Sequence, residues 1–430
     1  PRDVNELEVG EVPSWWPATL EELAAPLAAN DTDVRLLLRA IRNAHKPVLI
    51  LGTGADRCSD AEAIRSFAIN AQVPVVTTMA SSGSFPHDHP LYLGTVGAAG
   101  HPSAHAYLNE EADLLVAVGT GLNVLTRHPL SSALQRAKVV AVNVDAGELR
   151  RTVDPAIVVE ADAGVVFRSL SSLWKEKPFV VGAPSGYALT RYRPKLVEEA
   201  KPSSEARVEG VEASTGSLLQ SDAIELLEAY LPESGHLLFD AGNCAAAAIH
   251  GLTVPRGVTT TIALGMGGMG YSIAGAIGAQ LGDDARRRTV VVCGDGAFLM
   301  LGFEIHTAIE LKLPILFVVF NNNKHGMCVT RQKLFFEGRV ECAEYAGVDV
   351  AAATRGLGDE KRLWIGRAST RAELTQVLAE YDALDFAGPG VLELCLLREE
   401  EPPFSPFLKA DAETYVVRTS GLARRDRPAA

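Results

Sequence analysis

Four short runs of nearly pure hydrocarbon punctuate this chain, and each stops at a turn of small or polar residues. Pro47–Leu51 (PVLIL) stops at Gly52-Thr53-Gly54, and Asp113–Val118 (DLLVAV) stops at Gly119-Thr120-Gly121. Val290–Cys293 stops at Gly294-Asp295-Gly296, and Ile315–Phe320 (ILFVVF) stops at Asn321-Asn322-Asn323. A strand that is apolar at every position, and not at every second one, must be covered on both faces. The stretches between such runs, among them Val34–Asn43 and Asp60–Ala71, carry the i, i+3, i+4 spacing of amphipathic helices. Apolar strands alternating with helices fold as parallel sheets with helices on both sides, so the chain is read as α/β.

The alternation falls into two blocks. Residues 1–30 are irregular, with Pro1, Pro13, Pro17 and Pro26 around Trp15-Trp16, and read as a linker. Residues 31–175 form a first Rossmann-like domain. Between 176 and 216 the pattern lapses under Pro178, Pro184, Pro194 and Pro202 with clustered charges, as an interdomain linker does. Residues 217–400 form a second domain, with a helix following Ser221-Asp222 and strands at His236–Asp240 and Val391–Leu397. Residues 401–430 make a polar tail. The expected architecture is two doubly wound domains with mainly parallel sheets.

Composition excludes several roles. Lys plus Arg number 40 and Asp plus Glu 53, a net charge of −13, which gives phosphate backbones nothing to bind, so no nucleic-acid partner is expected. No apolar run is long enough to span a bilayer, and no basic-then-apolar leader opens the sequence. None of the six cysteines forms a C-x-x-C pair or joins a histidine at zinc spacing. Reduced thiols in a cytoplasmic protein without a membrane partner are the expectation.

The densest chemistry lies in Thr289–Met327. A strand delivers Gly294-Asp295-Gly296, a helix from about Gly302 to Lys312 carries the chain back, and a second strand delivers Asn321-Asn322-Asn323 to the same sheet edge. The glycines let backbone N–H groups approach a phosphate. Asp295 and Asn322 stand at the carboxyl ends of neighbouring strands, where a carboxylate and an amide oxygen can share one octahedral Mg²⁺.

GDG followed by NN in this layout resembles the signature of the thiamine-diphosphate enzymes. Ala263–Gln280 (ALGMGGMGYSIAGAIGAQ) and Gly326–Arg339 (GMCVTRQKLFFEGR) resemble segments of the acetohydroxyacid (acetolactate) synthases and their relatives, as does Leu91–Val118. The similarity runs over residues 30 to 400. It implies thiamine diphosphate and Mg²⁺ as cofactors. Asp295, the Asn322 side chain and the Lys324 carbonyl are implied as metal ligands. Gly294, Gly296 and Ala297 would cradle the diphosphate, with Gly267, Gly326 and Met327 in the surrounding loops. Met269 would support the bent cofactor, the alternative being a core methionine. Gly242, Asn243 and Cys244, in a loop after the strand ending at Asp240, stand where relatives often carry Gly-Gln-His, and Cys244 lacks the donor that histidine supplies. Where Flavin-binding relatives have Arg-Phe-Asp-Asp-Arg, Gly121 opens Gly-Leu-Asn-Val-Leu-Thr-Arg, which argues against FAD.

The implied reaction is decarboxylation of a 2-oxo acid such as pyruvate, followed by ligation or transfer of the acyl unit. A simple 2-oxo acid decarboxylase and a non-catalytic, cofactor-binding subunit are the alternatives. Arg331 stands where acetohydroxyacid synthases carry tryptophan, and its planar fork suits an anionic acceptor unless it turns to solvent. His325 is a possible pocket residue or a plain loop histidine. His101 and His105 are too isolated to suggest ligands. The activating glutamate of the family belongs to a pyrimidine-binding domain, and Pro1-Arg2-Asp3-Val4 resembles the sequence just where that domain ends. No residue here takes that role, and Glu304 and Glu310 read as structural. A split enzyme that needs a pyrimidine-binding subunit is favoured over a fragment. Because the cofactor of this family lies between two protomers, a homo- or hetero-oligomer, dimer or tetramer, is implied.

Overall fold

The computed structural model describes residues 25–197, 216–283, 285–384, 388–404, 406–408 and 412–417. Most of the expected 1–30 linker, the middle of the 176–216 linker and the end of the tail lie outside the described residues.

The first sheet has six parallel strands: β1 (Pro47–Leu51), β2 (Val75–Thr78), β3 (Tyr92–Val96), β4 (Leu114–Val118), β5 (Lys138–Asn143) and β6 (Ile157–Glu160). Their spatial order is β3-β2-β1-β4-β5-β6. The chain runs outward from β1 to β3, then returns to lay β4 on the other side of β1, pairing Leu51 with Val118. Every residue of β1 and β4 is buried, as their all-apolar composition requires. Helix Asp31–Asn43 shows why the cover holds. Val34, Leu37, Leu38 and Ile41 form its buried stripe, and the Asn30 side chain caps it by accepting from Thr32 N. Each such buried side chain is worth about 1.5–3 kcal/mol, and the cap about 1 kcal/mol.

The second sheet repeats the plan with β8 (Ser234–Phe239), β9 (Gly257–Ile262), β10 (Thr289–Gly294), β11 (Ile315–Asn321), β12 (Trp364–Ala368) and β13 (Gly390–Cys395). Its order is β12-β13-β11-β10-β8-β9, again all parallel. After β9 the chain crosses back over β8 to reach β10, so the order reverses between β8 and β10. Ligands of doubly wound sheets settle in the crevice at such a reversal, outside the carboxyl ends of the strands.

Two expectations need correction. The helix expected from Gly302 begins at Asp295 itself: Asp295–Leu301 is helical, Gly302–Glu304 is a tighter turn, and Ile305–Glu310 resumes. A carboxylate in the first turn suits the positive end of the helix dipole. The expected loop after Asp240 is likewise a helix start, with Gly242 as N-cap at φ 114° and Asn243–Gly251 helical. Within the 176–216 stretch, β7 (Thr190–Tyr192) pairs antiparallel with β14 (Thr414–Val416), a strand in the region read as tail. Among the described residues no helix is long and apolar enough to cross a membrane.

Candidate functional site

β8, β10 and β11 deliver the site. β8 ends at Asp240, a buried carboxylate that accepts from Gly270 N at 2.9 Å, from Ser272 N at 2.9 Å and from Ser272 Oγ at 2.6 Å. Asp240 thereby anchors the end of the Gly265–Met269 loop to the reversal point. The loop itself stands in open space: a Cβ at Gly265, Gly267 or Gly268 would meet nothing within 4 Å. Gly270, at φ 88°, is crowded by Leu301, so the turn requires glycine on both counts.

At the end of β10, Asp295 is only 1% exposed. Burial pushes its carboxyl up to about 6, against the pull of the Tyr345 hydroxyl and of the backbone N–H groups of Gly296, Asn323 and Lys324. The Tyr345 hydroxyl lies close enough to Asp295 for each to shift the other's pKa, yet neither it nor Asp295 Oδ2 closes a full hydrogen bond, and Asn243 Oδ1 has no partner. The Tyr345 phenol is itself pushed up by burial and by the neighbouring carboxylate. A buried, partnerless carboxylate oxygen is costly unless a cation or donor meets it.

The end of β11 explains the run of three asparagines. Asn321 is fully buried and braces the sheet, donating to Glu393 Oε1 at 2.6 Å and to Val348 O at 2.7 Å. Asn323 sits at φ 54°, which asparagine tolerates better than most residues. Asn322 alone is partly exposed. Its Nδ2 donates to Glu399 Oε1 at 3.4 Å, which fixes which end of the amide carries the free oxygen. Lys324 Nζ pairs with the same Glu399 oxygen at 2.9 Å, tying the ammonium to that carboxylate. The Lys324 backbone is held between His325 N, which donates to Ala343 O, and Asn323 O, which accepts from Tyr345 N.

The remaining expected residues gather around this turn. A Cβ at Gly296 would stand 2.5 Å from His325 Nδ1 and 3.6 Å from Met269 Cε, so the imidazole and the thioether both cover the glycine. The His325 ring also meets Tyr345 edge-on, with centroids 5.3 Å apart. Asn243 donates through Nδ2 to Thr330 Oγ1 at 3.1 Å, joining the helix at Gly242 to the helix Gly326–Phe335. Gly326 is crowded by the amides of Asn322 and Asn243. Ala297 is buried in the first turn of its helix, while Met327 stays partly exposed. Cys244 is 6% exposed beneath Gly294, with its thiol pushed up to about 12, and so packs as a small apolar group. Arg331 stands exposed on its helix. His101 and His105 belong to no metal-holding group among the described residues and are held by the backbone. Their rings accept from Thr95 N and Gly97 N, and His101 reaches His250 across the molecule.

Sequence reading missed Asp240, Tyr345 and Glu399. Glu399 lies 77 residues from Asn322, and no local pattern announces such a contact. Asp240 was readable only as a strand end.

The donor set fits a hard cation. Among the described residues no group of three His, Cys, Asp or Glu could hold a metal. Asp295 Oδ2, the oriented Asn322 amide and a backbone carbonyl instead suit an ion that prefers mixed oxygen ligands and keeps phosphate oxygens in its shell. The N-terminus of Asp295–Leu301 adds backbone donors for an anion at the same place. In the first domain, Gly52–Gly54 and Gly119–Gly121 meet at the corresponding reversal between β1 and β4, where Gly54 N donates to Gly119 O.

Residues 34–170 match the family described as thiamine pyrophosphate enzyme, central domain, and residues 240–394 match the thiamine pyrophosphate enzyme, C-terminal TPP binding domain. Acetolactate synthase isozyme 1 large subunit of Escherichia coli is 28% identical over 390 residues, covering 90% of this chain and 64% of that protein. The acetolactate synthase large subunit of Corynebacterium glutamicum is 28% identical over 350 residues, 79% of this chain and 52% of that protein. A putative acetolactate synthase large subunit, IlvB2, of Mycobacterium tuberculosis is 30% identical over 366 residues, 83% and 61% respectively. The chain thus spans between half and two thirds of the length of these relatives.

Proposed function

The chain belongs to the thiamine pyrophosphate enzymes, and from that premise we propose that it holds Mg²⁺ and the diphosphate end of the cofactor in an acetolactate-synthase-like enzyme. The substrate proposed is a 2-oxo acid such as pyruvate, whose acyl unit is ligated or transferred to an acceptor. The observation that carries this reading is the buried, partnerless Asp295 oxygen at the sheet reversal, beside an asparagine whose amide is already oriented.

In this reading Asp295, Asn322 Oδ1 and the Lys324 carbonyl bind the metal. Backbone N–H groups of Gly294, Gly296 and Ala297 hold the diphosphate, with Gly242, Asn243, Gly267, Gly326 and Met327 around it. When bound, thiamine diphosphate supplies the electron sink that makes loss of carbon dioxide from a 2-oxo acid possible. Met269 supports the cofactor from its loop beside Gly296. His325, over the same glycine, is placed to hold or pass a proton, and Arg331 to attract an anionic acceptor. Cys244 packs beneath the turn and contributes no diphosphate donor.

The pyrimidine end needs a second domain, from elsewhere in the polypeptide or from a partner, and an oligomeric assembly follows from that need. Large apolar side chains exposed around the site support this: Met266, Phe303, Phe335 and Phe336. A cytoplasmic enzyme is the setting proposed.

The test is to supply the chain with a pyrimidine-domain polypeptide, thiamine diphosphate, Mg²⁺ and pyruvate, and to identify products. A new carbon–carbon bond is expected. Free aldehyde alone would indicate a simple decarboxylase. Full activity of the complex with Asp295→Ala would show that this chain only supports catalysis housed elsewhere. An Arg331→Trp variant is expected to shift acceptor preference towards apolar 2-oxo acids.

A further inference from the structure

Away from the Asp295 turn, at the other end of helix Asn243–Gly251, a second group of buried polar side chains surrounds an arginine. Arg191, on β7, is 8% exposed. Its Nη2 donates to Thr253 Oγ1 at 3.4 Å, its Nε has no partner, and it pairs with no carboxylate among the described residues. Two carboxylates flank this group: Glu228, which accepts from Thr253 N at 2.7 Å, and Asp88, beside His87. His87 and His250 lie in the same group, each 4% exposed, and His87 Nδ1 has no partner. Burial first, and then the Arg191 charge, holds both rings below the usual histidine range.

The hydrogen bonds assign the tautomers. His250 Nε2 accepts from Tyr192 N, so its Nδ1 carries the proton, and the backbone of Ala99 and Gly100 lies beside it as acceptor. His87 Nε2 faces Ser82 O and must donate to it, so its Nδ1 can accept. Arg191, His87, His250 and Thr253 all line one groove of about 1960 Å³ between the two domains. A guanidinium withdrawn from water without a counter-charge costs several kcal/mol. An oxyanion at this place would supply that charge, with the planar fork giving it two parallel hydrogen bonds.

We propose that this end of the groove is an anion-binding site that takes a phosphate group, free or carried on a small metabolite. Arg191 and Thr253 hold two of its oxygens. His87 Nδ1 accepts from a protonated phosphate oxygen, which a fully ionised carboxylate cannot offer. The site stands apart from the Asp295 turn, and one helix of nine residues separates them.

Calorimetric titration of the full chain with inorganic phosphate tests the proposal, with acetate as the carboxylate arm. Saturable phosphate binding is expected, weakened roughly tenfold or more by Arg191→Met and strengthened roughly threefold by Glu228→Gln, which removes a competing charge. Thiamine diphosphate binding should be the same in Arg191→Met as in the wild type, which separates this site from the diphosphate turn. In anion-free buffer Arg191→Met should melt no lower than the wild type, because it removes an unpaired buried charge. Phosphate binding unchanged in Arg191→Met, or no saturation by about 10 mM, would overturn the site. A lower melting temperature for Arg191→Met in anion-free buffer would overturn it too, since the arginine would then be structural. Saturation by acetate without phosphate would overturn the phosphate assignment.

Discussion

Asp295 is the side chain whose surroundings say most about its use. Its folded pKa of about 6 lies above the ordinary value of 3.8. Between those values the folded chain holds a proton that the unfolded chain has lost, so unliganded stability falls as pH rises through the window. Above it the full cost is present, on the order of 2–3 kcal/mol. Asp295→Asn should therefore stabilise the unliganded chain by roughly 1–3 kcal/mol at pH 7 and much less near pH 4, while metal-dependent cofactor binding is lost. Urea unfolding at the two pH values measures the first effect. Glu399 acts one step further out, holding the Asn322 amide and the Lys324 ammonium. Glu399→Gln is expected to weaken Mn²⁺ affinity roughly tenfold, read by electron paramagnetic resonance, with little change in unfolding. The turn residues Asp295 and Asn322 were legible because their spacing is local. Tyr345 and Glu399 were not, because tertiary packing brings them in.

Secondary structure was legible where it is central. β1, β4, β10 and β11 are the inner strands, buried along nearly their whole length. Of the strands that sequence reading did not pick out, β3, β6, β9 and β12 are the outer strands of the two six-stranded sheets, and β7 and β14 form a separate two-stranded sheet. Three of the outer strands are only partly buried, and polar residues interrupt the apolar run in the Thr-rich β9 and at Arg367 of β12. β3 is buried, but Gly94 at φ 115° breaks its pattern. The seam between the domains gives a pH prediction. Burial pushes His87 and His105 down to about 4 and His250 to about 3, and holds His101 well below its usual value. With folded pKa values depressed, the unfolded chain binds more protons below about 6.5, so these groups cost stability as pH falls from there. Denaturation midpoints should drop between pH 7 and 5, and replacing His250 and His101 together by Gln should flatten that slope. An unchanged slope would mean that the seam is not what titrates.

Each domain presents its glycine turns at a strand-order reversal, and in the second a buried carboxylate oxygen without a partner and an oriented asparagine amide stand there. In the elements that carry that place, Met266 is 97% and Phe303 80% exposed, and Phe335 and Phe336 are exposed at the C-terminal end of helix Gly326–Phe335. Such side chains are the expected floor for a pyrimidine-binding domain. Phe303→Ser combined with Phe335→Ser should abolish co-assembly with that domain, followed by size-exclusion chromatography, and change the stability of the chain by less than about 0.5 kcal/mol for each exposed position. Retained co-assembly would place the partner on another face.

If the Asp295 turn is a metal–diphosphate site, cofactor binding depends on both Mg²⁺ and the Asp295 carboxylate. Native mass spectrometry of the chain assembled with a pyrimidine domain, with thiamine diphosphate in the presence and absence of Mg²⁺, tests it most directly. Stoichiometric cofactor that requires Mg²⁺ and disappears in Asp295→Ala is the predicted result. Cofactor retained equally by Asp295→Ala, or none bound by the wild-type assembly, would contradict it.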